Sequence, residues 1–386
     1  MRSPGGGLKP AVQEVRFIRD TNGARVAYAT VGEGPLVLCP AWWVSHVERD
    51  WEHPGFRSFF TRLADGFRVV RYDRPGTGLS DRDVPPRTQE AEVLLLAMLA
   101  DALGDAQFSL FAVSCGGPVA LTYAATHQER VRRLCLYGSY ANGSDLATPE
   151  LRDALANLVK AHWGLGSATL TAMFLPGATP QESETFSRNQ RDWADAPKAA
   201  ELLRLSCNMS AMDVLPRVCT ESLVIHRRDD RTIPLEAGRR LAAELPQARF
   251  AVLDGNVHLP WIDGDAIADM VHSFLAGKEA TASLPATGCR LDEAGREFVL
   301  DGRHEPTTRL EFGVMRALLR ARGGVVTRDE MLAEIWNTPF TGSNKVEAVV
   351  RSLRKKLGPF APSIETVTGH GYRFAGWKRQ AIDAVQ

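Results

Sequence analysis

The sequence predicts an α/β fold with a mostly parallel sheet and helices on both faces, followed by a separate, smaller α+β domain. Between residues 14 and 276, short apolar strand patterns alternate with helical patterns, which is typical of a parallel sheet covered on both faces. The stretch 277–288 is small and polar and contains proline and glycine, as interdomain linkers do. Short strands, three helices and a terminal hairpin follow it, and this change of pattern indicates a second domain.

We therefore divide the chain into a first domain at 1–276, a linker at 277–288, a second domain at 289–377 and a tail at 378–386. Within the first domain, residues from about 145 to 213 show helical patterns only, so we expect a helical insertion above the sheet. Its aromatic and methionine side chains are either core or the wall of a ligand pocket, and both interpretations stay open. These side chains are Trp163, Met173, Phe174, Phe186, Trp193, Met209 and Met212.

Composition excludes several classes of protein. The 46 Lys and Arg balance the 46 Asp and Glu, so any affinity for nucleic acid must come from a local basic patch. The N-terminus lacks the apolar core of a signal peptide, and no apolar run approaches the roughly 20 residues of a membrane helix. The 6 cysteines include no Cys-x-x-Cys pair, which argues against zinc and disulfides. We expect a cytoplasmic protein with no membrane contact, metal or cofactor.

The stretch around Ser114 joins a strand to a helix through a sharp turn. An apolar run ends at Val113, and a helical pattern begins after Gly117. A serine at such a turn is typical of a nucleophile elbow, which needs small residues two positions either side of the serine. Those positions hold Ala112 and Gly116, both small. The alternative is an ordinary strand–loop–helix connection with a glycine packing point.

A serine nucleophile needs a histidine as base and a carboxylate that holds the histidine in one tautomer. Asp230 lies in an acidic turn after one late strand pattern, and His258 lies just beyond the next. Ser114, Asp230 and His258 thus occur in the order serine, acid, histidine, each past the carboxyl end of a strand, where open α/β sheets bind ligands. Asp229 is the alternative acid if the register is shifted by one residue.

Residues 14–276 resemble an α/β-hydrolase fold protein with a helical cap. The loop 73–80 is similar to the D-x-x-G-x-G-x-S segment of that family, and the region of Asp230 is similar to its G-x-x-D-x-x-x-P segment, with Arg227 where glycine is usual. The resemblance implies hydrolysis of an ester, lactone or amide bond by Ser114, Asp230 and His258. The alternative is that the three residues persist as hydrogen-bonded structure in a domain that no longer turns over a substrate.

The same resemblance implies an oxyanion hole made by the backbone N–H groups of Cys115 and Trp42. The family usually has His-Gly in the second loop, whereas this chain has Pro40-Ala41, and proline lacks an N–H. The thiol of Cys115 is a competing candidate for the nucleophile, which the place of Cys115 in the oxyanion hole disfavours.

The second domain shows three helical patterns and then a hairpin. Capping boxes open the first two helices, at Thr308 with Glu311 and at Thr327 with Glu330. The third helix, 344–357, has an apolar stripe opposite a basic face, and its hairpin follows at once. A basic helix is often only a solvated face, but its position last of three helices indicates a helix-turn-helix. The apolar stripe consists of Val346, Val350, Leu353 and Leu357.

Residues from about 289 to 377 closely resemble the OmpR/PhoB-type winged-helix DNA-binding domain of bacterial response regulators. The segments 325–332, 350–357 and 366–374 carry the resemblance. It implies binding of double-stranded promoter DNA as a homodimer. The implied contacts to bases are Lys345, Ala348, Val349 and Ser352, and those to phosphates are Arg351, Lys355 and Lys356. Where the family often has Arg before the wing glycine this chain has Thr368, so His370 or Arg373 is expected to substitute.

Together these observations predict a one-component transcription regulator in which a small molecule enters a pocket near Ser114 and His258. The alternative is an active serine esterase, lactonase or amidase with an auxiliary DNA-binding domain. A third possibility is a protein-interaction module in which neither site works.

Overall fold

The computed structural model describes residues 12–277, 289–292, 297–300, 303–321, 324–336 and 344–375. The chain separates into two compact units, Met1–Glu279 and Ala280–Gln386. The predicted linker, apart from Gly277, and the predicted tail lie outside the described residues. No helix among the described residues is long and apolar enough to cross a membrane.

An eight-stranded sheet forms the centre of the first unit, with the strand order β1-β2-β4-β3-β5-β6-β7-β8. The first two strands pair as the antiparallel hairpin that the turn Thr21-Asn22-Gly23 favours, and β2 pairs antiparallel with β4. All other neighbours are parallel, which confirms the predicted fold class. The strands are β1 (Glu14–Arg19), β2 (Arg25–Val31), β3 (Leu36–Cys39), β4 (Arg68–Tyr72), β5 (Phe108–Val113), β6 (Val131–Tyr137), β7 (Ser222–Arg227) and β8 (Ala248–Leu253).

Helices cover both faces of this sheet, because each apolar sheet face must be buried against the apolar sides of helices. Residues of α2 and α10 belong to one buried cluster, and residues of α3, α4 and α9 belong to the other. Every residue of the central strand β5 is buried, as expected for a strand covered on both sides. The helices are α1 (Arg49–Glu52), α2 (Pro54–Leu63), α3 (Gln89–Leu103), α4 (Gly116–Thr126), α9 (Leu235–Glu244) and α10 (Asp265–Leu275).

The residues between β6 and β7 form four further α-helices, as their patterns predict. Threonine or aspartate N-caps followed by proline open three of them, a pairing that satisfies the first free N–H groups and fixes helical φ. A single antiparallel bridge between Asn142 and Ser210 joins the two chain segments at the base of this cap. The cap helices are α5 (Pro149–Ala161), α6 (Trp163–Phe174), α7 (Pro180–Trp193) and α8 (Ala196–Asn208).

The described residues of the second unit form two three-stranded antiparallel sheets and three α-helices. Its first sheet has the order β11-β10-β9, and its second has the order β12-β14-β13. The strand β11 was not predicted, because Arg303-His304-Glu305-Pro306 lacks the apolar alternation of a strand. The elements are β9 (Cys289–Asp292), β10 (Glu297–Leu300), β11 (Arg303–Pro306), α11 (Arg309–Arg320), β12 (Val326–Thr327), α12 (Arg328–Trp336), α13 (Asn344–Leu357), β13 (Ile364–Val367) and β14 (Gly371–Phe374).

Helix caps and apolar periodicity explain several elements of the second unit. Both predicted capping boxes are present: the Thr308 side chain accepts from the N–H of Glu311, and the Thr327 side chain accepts from that of Glu330. The four residues of the apolar stripe of α13 are at most 1% exposed and pack in the core of this unit. The predicted hairpin is also confirmed, since β13 and β14 pair antiparallel from Ile364 with Phe374 to Val367 with Gly371.

Candidate active site and nucleic-acid interface

Ser114 stands at a strained turn between β5 and α4. Its φ is +53°, a left-handed conformation that is uncommon outside glycine and recurs at functional turns. Its backbone is held on both sides: its N–H donates to Tyr137 O at 3.0 Å, and Ser139 Oγ donates to its carbonyl at 2.7 Å. A Cβ added at Gly117 would lie 1.8 Å from Ser139 Oγ, so only glycine fits there. The geometry is that of a nucleophile elbow.

Asp230 and His258 lie together beyond the ends of β7 and β8. His258 Nδ1 and Asp230 Oδ2 are 2.8 Å apart, and both side chains are at least 98% buried. The other carboxylate oxygen accepts the N–H groups of Thr232 at 2.8 Å and Ile233 at 3.2 Å. Asp229 is exposed, so the structure places Asp230, and not the alternative acid, against the histidine.

The electrostatics favour an ionised Asp230. Burial alone would raise its pKa, but the charge and hydrogen bond of His258 and the two backbone N–H donors hold the pKa of Asp230 below its ordinary value. A carboxylate bonded to Nδ1 directs the other nitrogen, Nε2, to act as the base.

His258 Nε2 is buried and has no hydrogen-bond partner in the part of the chain that the structure describes. Ser114 and His258 line the same cavity, but their side chains form no hydrogen bond with each other. The direct serine–histidine bond that a triad uses is therefore not formed here, and such bonds often shorten only when a substrate is bound. The ring itself is fixed, because it stacks on Phe174 at 5.8 Å and its backbone N–H donates to Phe174 O at 2.9 Å.

The two amides predicted for the oxyanion hole lie on adjoining loops. A Cβ at Gly116 would stand 3.1 Å from Pro40 O, so the elbow and the loop after β3 are in close contact. No described residue accepts a hydrogen bond from the N–H of Trp42 or of Cys115. The Cys115 thiol is buried beside Tyr140 and Ile233 and does not line the cavity, so its position disfavours it as a nucleophile.

A cavity of about 530 Å³ lies between the sheet and the cap. Of the cap side chains left open by the sequence, Phe174, Phe186 and Trp193 line it, whereas the others do not. Sequence reasoning missed most of the opposite wall, although Trp42-Trp43 lies in the loop that follows β3 and could have signalled it. The aromatic residues of that wall are Trp42, Trp43, Phe56 and Trp261.

The cavity also has polar groups. Burial raises the pKa of Asp50 to about 8, although Arg71, 3.6 Å away, opposes this. Burial lowers the pKa of His53, which favours the neutral imidazole. Glu182 and Asp263 add carboxylates, and Arg49 adds the one arginine of the lining. Across the described ranges, no group of His, Cys, Asp and Glu could hold a metal ion.

The basic face of α13 divides into free and committed side chains. Lys345, Arg351 and Lys355 are exposed and have no hydrogen-bond or ion-pair partner among the described residues. Ser352 Oγ instead donates to Glu311 Oε1 at 2.7 Å, and Lys356 Nζ lies 2.8 Å from Glu311 Oε2. The structure therefore differs from the prediction for these last two side chains, because a buried carboxylate of α11 needs their donors.

The other residues predicted to contact DNA differ in how exposed they are and in whether they have partners. Ala348 is exposed, whereas Val349 is partly buried against the core of the unit. In the hairpin, His370 is exposed and its Nδ1 lies 3.0 Å from Thr368 O. Arg373 is ion-paired with Glu365 at 2.6 Å. Of the two substitutes expected for the wing arginine, Arg373 thus has its charge partly neutralised.

Comparison with known proteins matches each unit separately. The model of the alpha/beta hydrolase family covers residues 36–270, and that of the transcriptional regulatory protein C terminal domain covers residues 302–374. A 2-hydroxy-6-oxo-6-phenylhexa-2,4-dienoate hydrolase of Burkholderia cepacia is 31% identical over 233 residues, 57% of this chain and 81% of the relative. Transcriptional regulatory protein CutR of Streptomyces coelicolor is 39% identical over 104 residues, 25% of this chain and 46% of the relative.

Among solved structures, an esterase from Exiguobacterium antarcticum has the same fold, with a TM-score of 0.61 at 19% identity, over 68% of this chain and 99% of the esterase. The fold and the comparisons define a protein that joins a hydrolase domain to a DNA-binding regulator domain. The chain belongs to the alpha/beta hydrolase family, and its C-terminal unit is a regulator domain of the OmpR/PhoB type.

Proposed function

We propose that this chain is a one-component transcription regulator that takes a small molecule into the cavity beside Ser114 and His258 and binds promoter DNA as a homodimer. One observation carries the proposal: a single chain joins an elbow serine in a cavity to a basic helix with three cations that have no partner among the described residues. Ligand occupancy alters DNA binding only if the ligand prefers one of two states of the protein. The ligand must therefore bind the DNA-bound protein and the DNA-free protein with unequal affinity.

The lining of the cavity favours an aryl or acyl ligand with one reactive carbonyl. Its walls are mainly aromatic and aliphatic, and its carboxylates outnumber its single arginine. Arg49 is also within 3.8 Å of Asp192, which reduces its availability to an anionic ligand. We therefore expect an uncharged ester, lactone or amide to bind better than a carboxylate of the same size.

The chemistry that fits this arrangement is acyl transfer. Ser114 Oγ would attack the carbonyl carbon of the ligand while His258 Nε2 takes the hydroxyl proton, and Asp230 would stabilise the resulting imidazolium. The amides of Trp42 and Cys115 would donate to the carbonyl oxygen as its negative charge develops. The leaving group would depart with the proton from His258, and water would then release the acyl group by the reverse proton path.

A second candidate function is an active hydrolase that uses its C-terminal unit only to reside on DNA. The amides of Trp42 and Cys115 and the His258 Nε2 atom favour it, because none of them has a partner in the described part of the chain and a merely structural triad has no need to keep those groups free. A third candidate is an interaction module in which neither site works.

Two measurements on the full chain separate these functions. A fluorophosphonate probe should label the wild type and should fail to label Ser114→Ala, whereas absence of labelling in the wild type excludes a working triad. In a gel-shift experiment the wild type should bind duplex DNA, and the double variant Lys345→Ala with Lys355→Ala should bind it with about 10-fold lower affinity. The reason is that each lysine neutralises a phosphate or contacts a base.

The regulator is supported if a reactive ester changes the DNA affinity of the wild type but not that of Ser114→Ala. Labelling together with DNA affinity that no ligand changes would favour the second candidate. A wild type that shows neither probe labelling nor DNA binding would leave the interaction module as the remaining function.

A further inference from the structure

Arg74 is a fully buried arginine in the loop after β4, within the segment 73–80 that the proposed chemistry does not use. Its exposed fraction is 1%. Its Nε donates to Glu92 Oε2 at 2.9 Å, and its Nη2 donates to the carbonyl oxygen of Ala41 at 3.1 Å. A buried guanidinium is costly to desolvate, so a fold keeps one only where its hydrogen bonds are well satisfied or functionally needed.

The acceptor of this bond belongs to the peptide that carries the Trp42 amide. In a trans peptide, the C=O of Ala41 and the N–H of Trp42 point in opposite directions from one rigid plane. A donor that fixes the carbonyl therefore fixes the direction of the N–H, which points away from Arg74. Because the donor is charged, it also polarises the peptide and strengthens that N–H as a donor.

The elbow is also in reach of Arg74. Its Nη1 has no hydrogen-bond partner in the described part of the chain, and the Cys115 thiol is among the groups with which the guanidinium interacts electrostatically. The hypothetical Cβ at Gly116 would be 3.5 Å from Ala41 O, the atom that Arg74 holds. One side chain thus contacts the loop that carries the first amide and adjoins the residue that carries the second.

The charge of Arg74 is secured from the other side. Glu92 in the first turn of α3 is 1% exposed and binds Arg74 through one oxygen and Arg87 Nε through the other, at 2.8 Å. Burial alone would lower the pKa of Arg74, but Glu92 together with Cys115 and Tyr72 more than offsets this and keeps the pKa above its ordinary value. Arg74 therefore stays positively charged, and it does not act as a general acid that gives up its proton.

We propose that Arg74 is a positioning residue that aims the Trp42 amide into the oxyanion hole by holding the Ala41–Trp42 peptide from behind, a role that rests on the proposed acyl-transfer function. The loop lacks one anchor, because Pro40 has no N–H to donate. Arg74 supplies an anchor from a neighbouring loop, and Glu92 holds Arg74 in place. The developing oxyanion, and not the bound ground state, is the species that benefits.

The test compares the paired variant Arg74→Met with Glu92→Met and the matched control Arg87→Met in the full chain. The paired variant removes Arg74 and Glu92 together, so neither is left without the other, and Arg87 keeps Asp20, 3.6 Å away, as its partner. Arg87→Met removes the other partner of Glu92 but no contact to Ala41. Thermal unfolding establishes that each variant folds. Hydrolysis of a neutral p-nitrophenyl ester gives kcat and KM, and phenylboronic acid, which forms a tetrahedral adduct on a serine, reports the oxyanion hole by its affinity.

The paired variant should lower kcat and boronate affinity by about 10- to 100-fold with KM within about 2-fold, since a misaimed oxyanion donor costs the transition state alone. Arg87→Met should leave all three values within about 2-fold. Equal losses in the two variants, or a paired variant with wild-type kcat, would overturn the role of Arg74 while leaving the hydrolytic function intact. A wild type that neither hydrolyses the ester nor binds the boronate overturns the hydrolytic function and this role with it.

Discussion

A buried carboxylate anchors a functional element in each unit, and the two carboxylates use their partners differently. Asp230 accepts hydrogen bonds from two backbone N–H groups and from His258, whose other ring nitrogen has no partner within the described ranges. Glu311 accepts hydrogen bonds from the backbone N–H of Thr308, the hydroxyl of Ser352 and the ammonium of Lys356. Lys356 also donates to Pro306 O. The first network leaves one atom free for chemistry, whereas the second fixes side chains that the sequence alone would assign to DNA. The two networks therefore separate side chains that the fold already uses from side chains that it leaves available.

The largest effect that this comparison predicts follows from removing the charge of Asp230. Asp230→Asn should slow fluorophosphonate labelling of Ser114 by about 10³- to 10⁴-fold, because the amide favours the wrong histidine tautomer and does not stabilise the imidazolium. The measurement is the second-order rate constant for labelling of the full chain.

Asp229→Asn is the matched control, because its side chain is exposed and one residue away. It should label within about 2-fold of the wild type. A slow Asp229→Asn with a normal Asp230→Asn would show that Asp229 carries the acid role and that the geometry around His258 is only structural.

The network around Glu311 should instead control stability. Burial would raise its pKa, but Lys356, Ser352 and the Thr308 donors lower the pKa of Glu311 to about 2. Since this folded value lies below the ordinary value of 4.5, the stabilisation is present above pH 4.5 and is lost as the pH falls towards 2. Glu311→Gln should cost about 2 kcal/mol at pH 7 and less than half of that at pH 3.

Hydrogen exchange of peptides from α11 and α13 measures this cost in the full chain, where about 2 kcal/mol corresponds to roughly 30-fold lower protection. Glu334→Gln is the control, because its ion pair with Arg320 is exposed on both sides and is worth under about 1 kcal/mol. A penalty for Glu311→Gln that stays constant or grows between pH 7 and pH 3 would contradict the low pKa.

The salt dependence of DNA binding sharpens the distinction between free and committed cations. Arg351→Ala and Lys355→Ala should each reduce the slope of log Kd against log salt by about 1, which is about 4-fold in affinity between 50 and 200 mM salt. Lys356→Ala should change the slope by much less, since its ammonium already serves Glu311. Fluorescence anisotropy with a duplex of arbitrary sequence gives the slopes, and equal slopes for Lys355→Ala and Lys356→Ala would remove the distinction.

The sequence was sufficient for those features whose signals are local. The strands β1 to β8, the capping boxes and the stripe on α13 depend on periodicity and short-range hydrogen bonds, and all are present. The placement of Ser114, Asp230 and His258 at one edge of the sheet could also be predicted, because parallel strands bring their carboxyl ends to that edge.

Features that depend on long-range partners were not predictable. Glu311 and Lys356 are 45 residues apart, and Arg74 and Ala41 are 33 apart, so no pattern in the sequence couples them. The strand β11 forms because β10 offers it a pairing edge, although its own residues carry no strand signal. The division of the basic face of α13 likewise follows from where α11 places Glu311, which only the packed unit determines.

The smallest predicted effect concerns Ala112, which stands where a nucleophile elbow usually has glycine. Its side chain is fully buried, and Ser114 already has the left-handed φ of +53° beside it. Ala112→Gly should therefore change the labelling rate by less than about 2-fold and cost roughly 1 kcal/mol of stability, since glycine loses more backbone entropy on folding. Ala120→Gly in α4, also fully buried, should cost a similar amount and serves as the control. If Ala112→Gly instead raised labelling 10-fold or more while Ala120→Gly did not, the methyl group of Ala112 would be what holds Ser114 back from reaction, and this hydrolase domain would be a binder whose elbow is restrained by a single side chain.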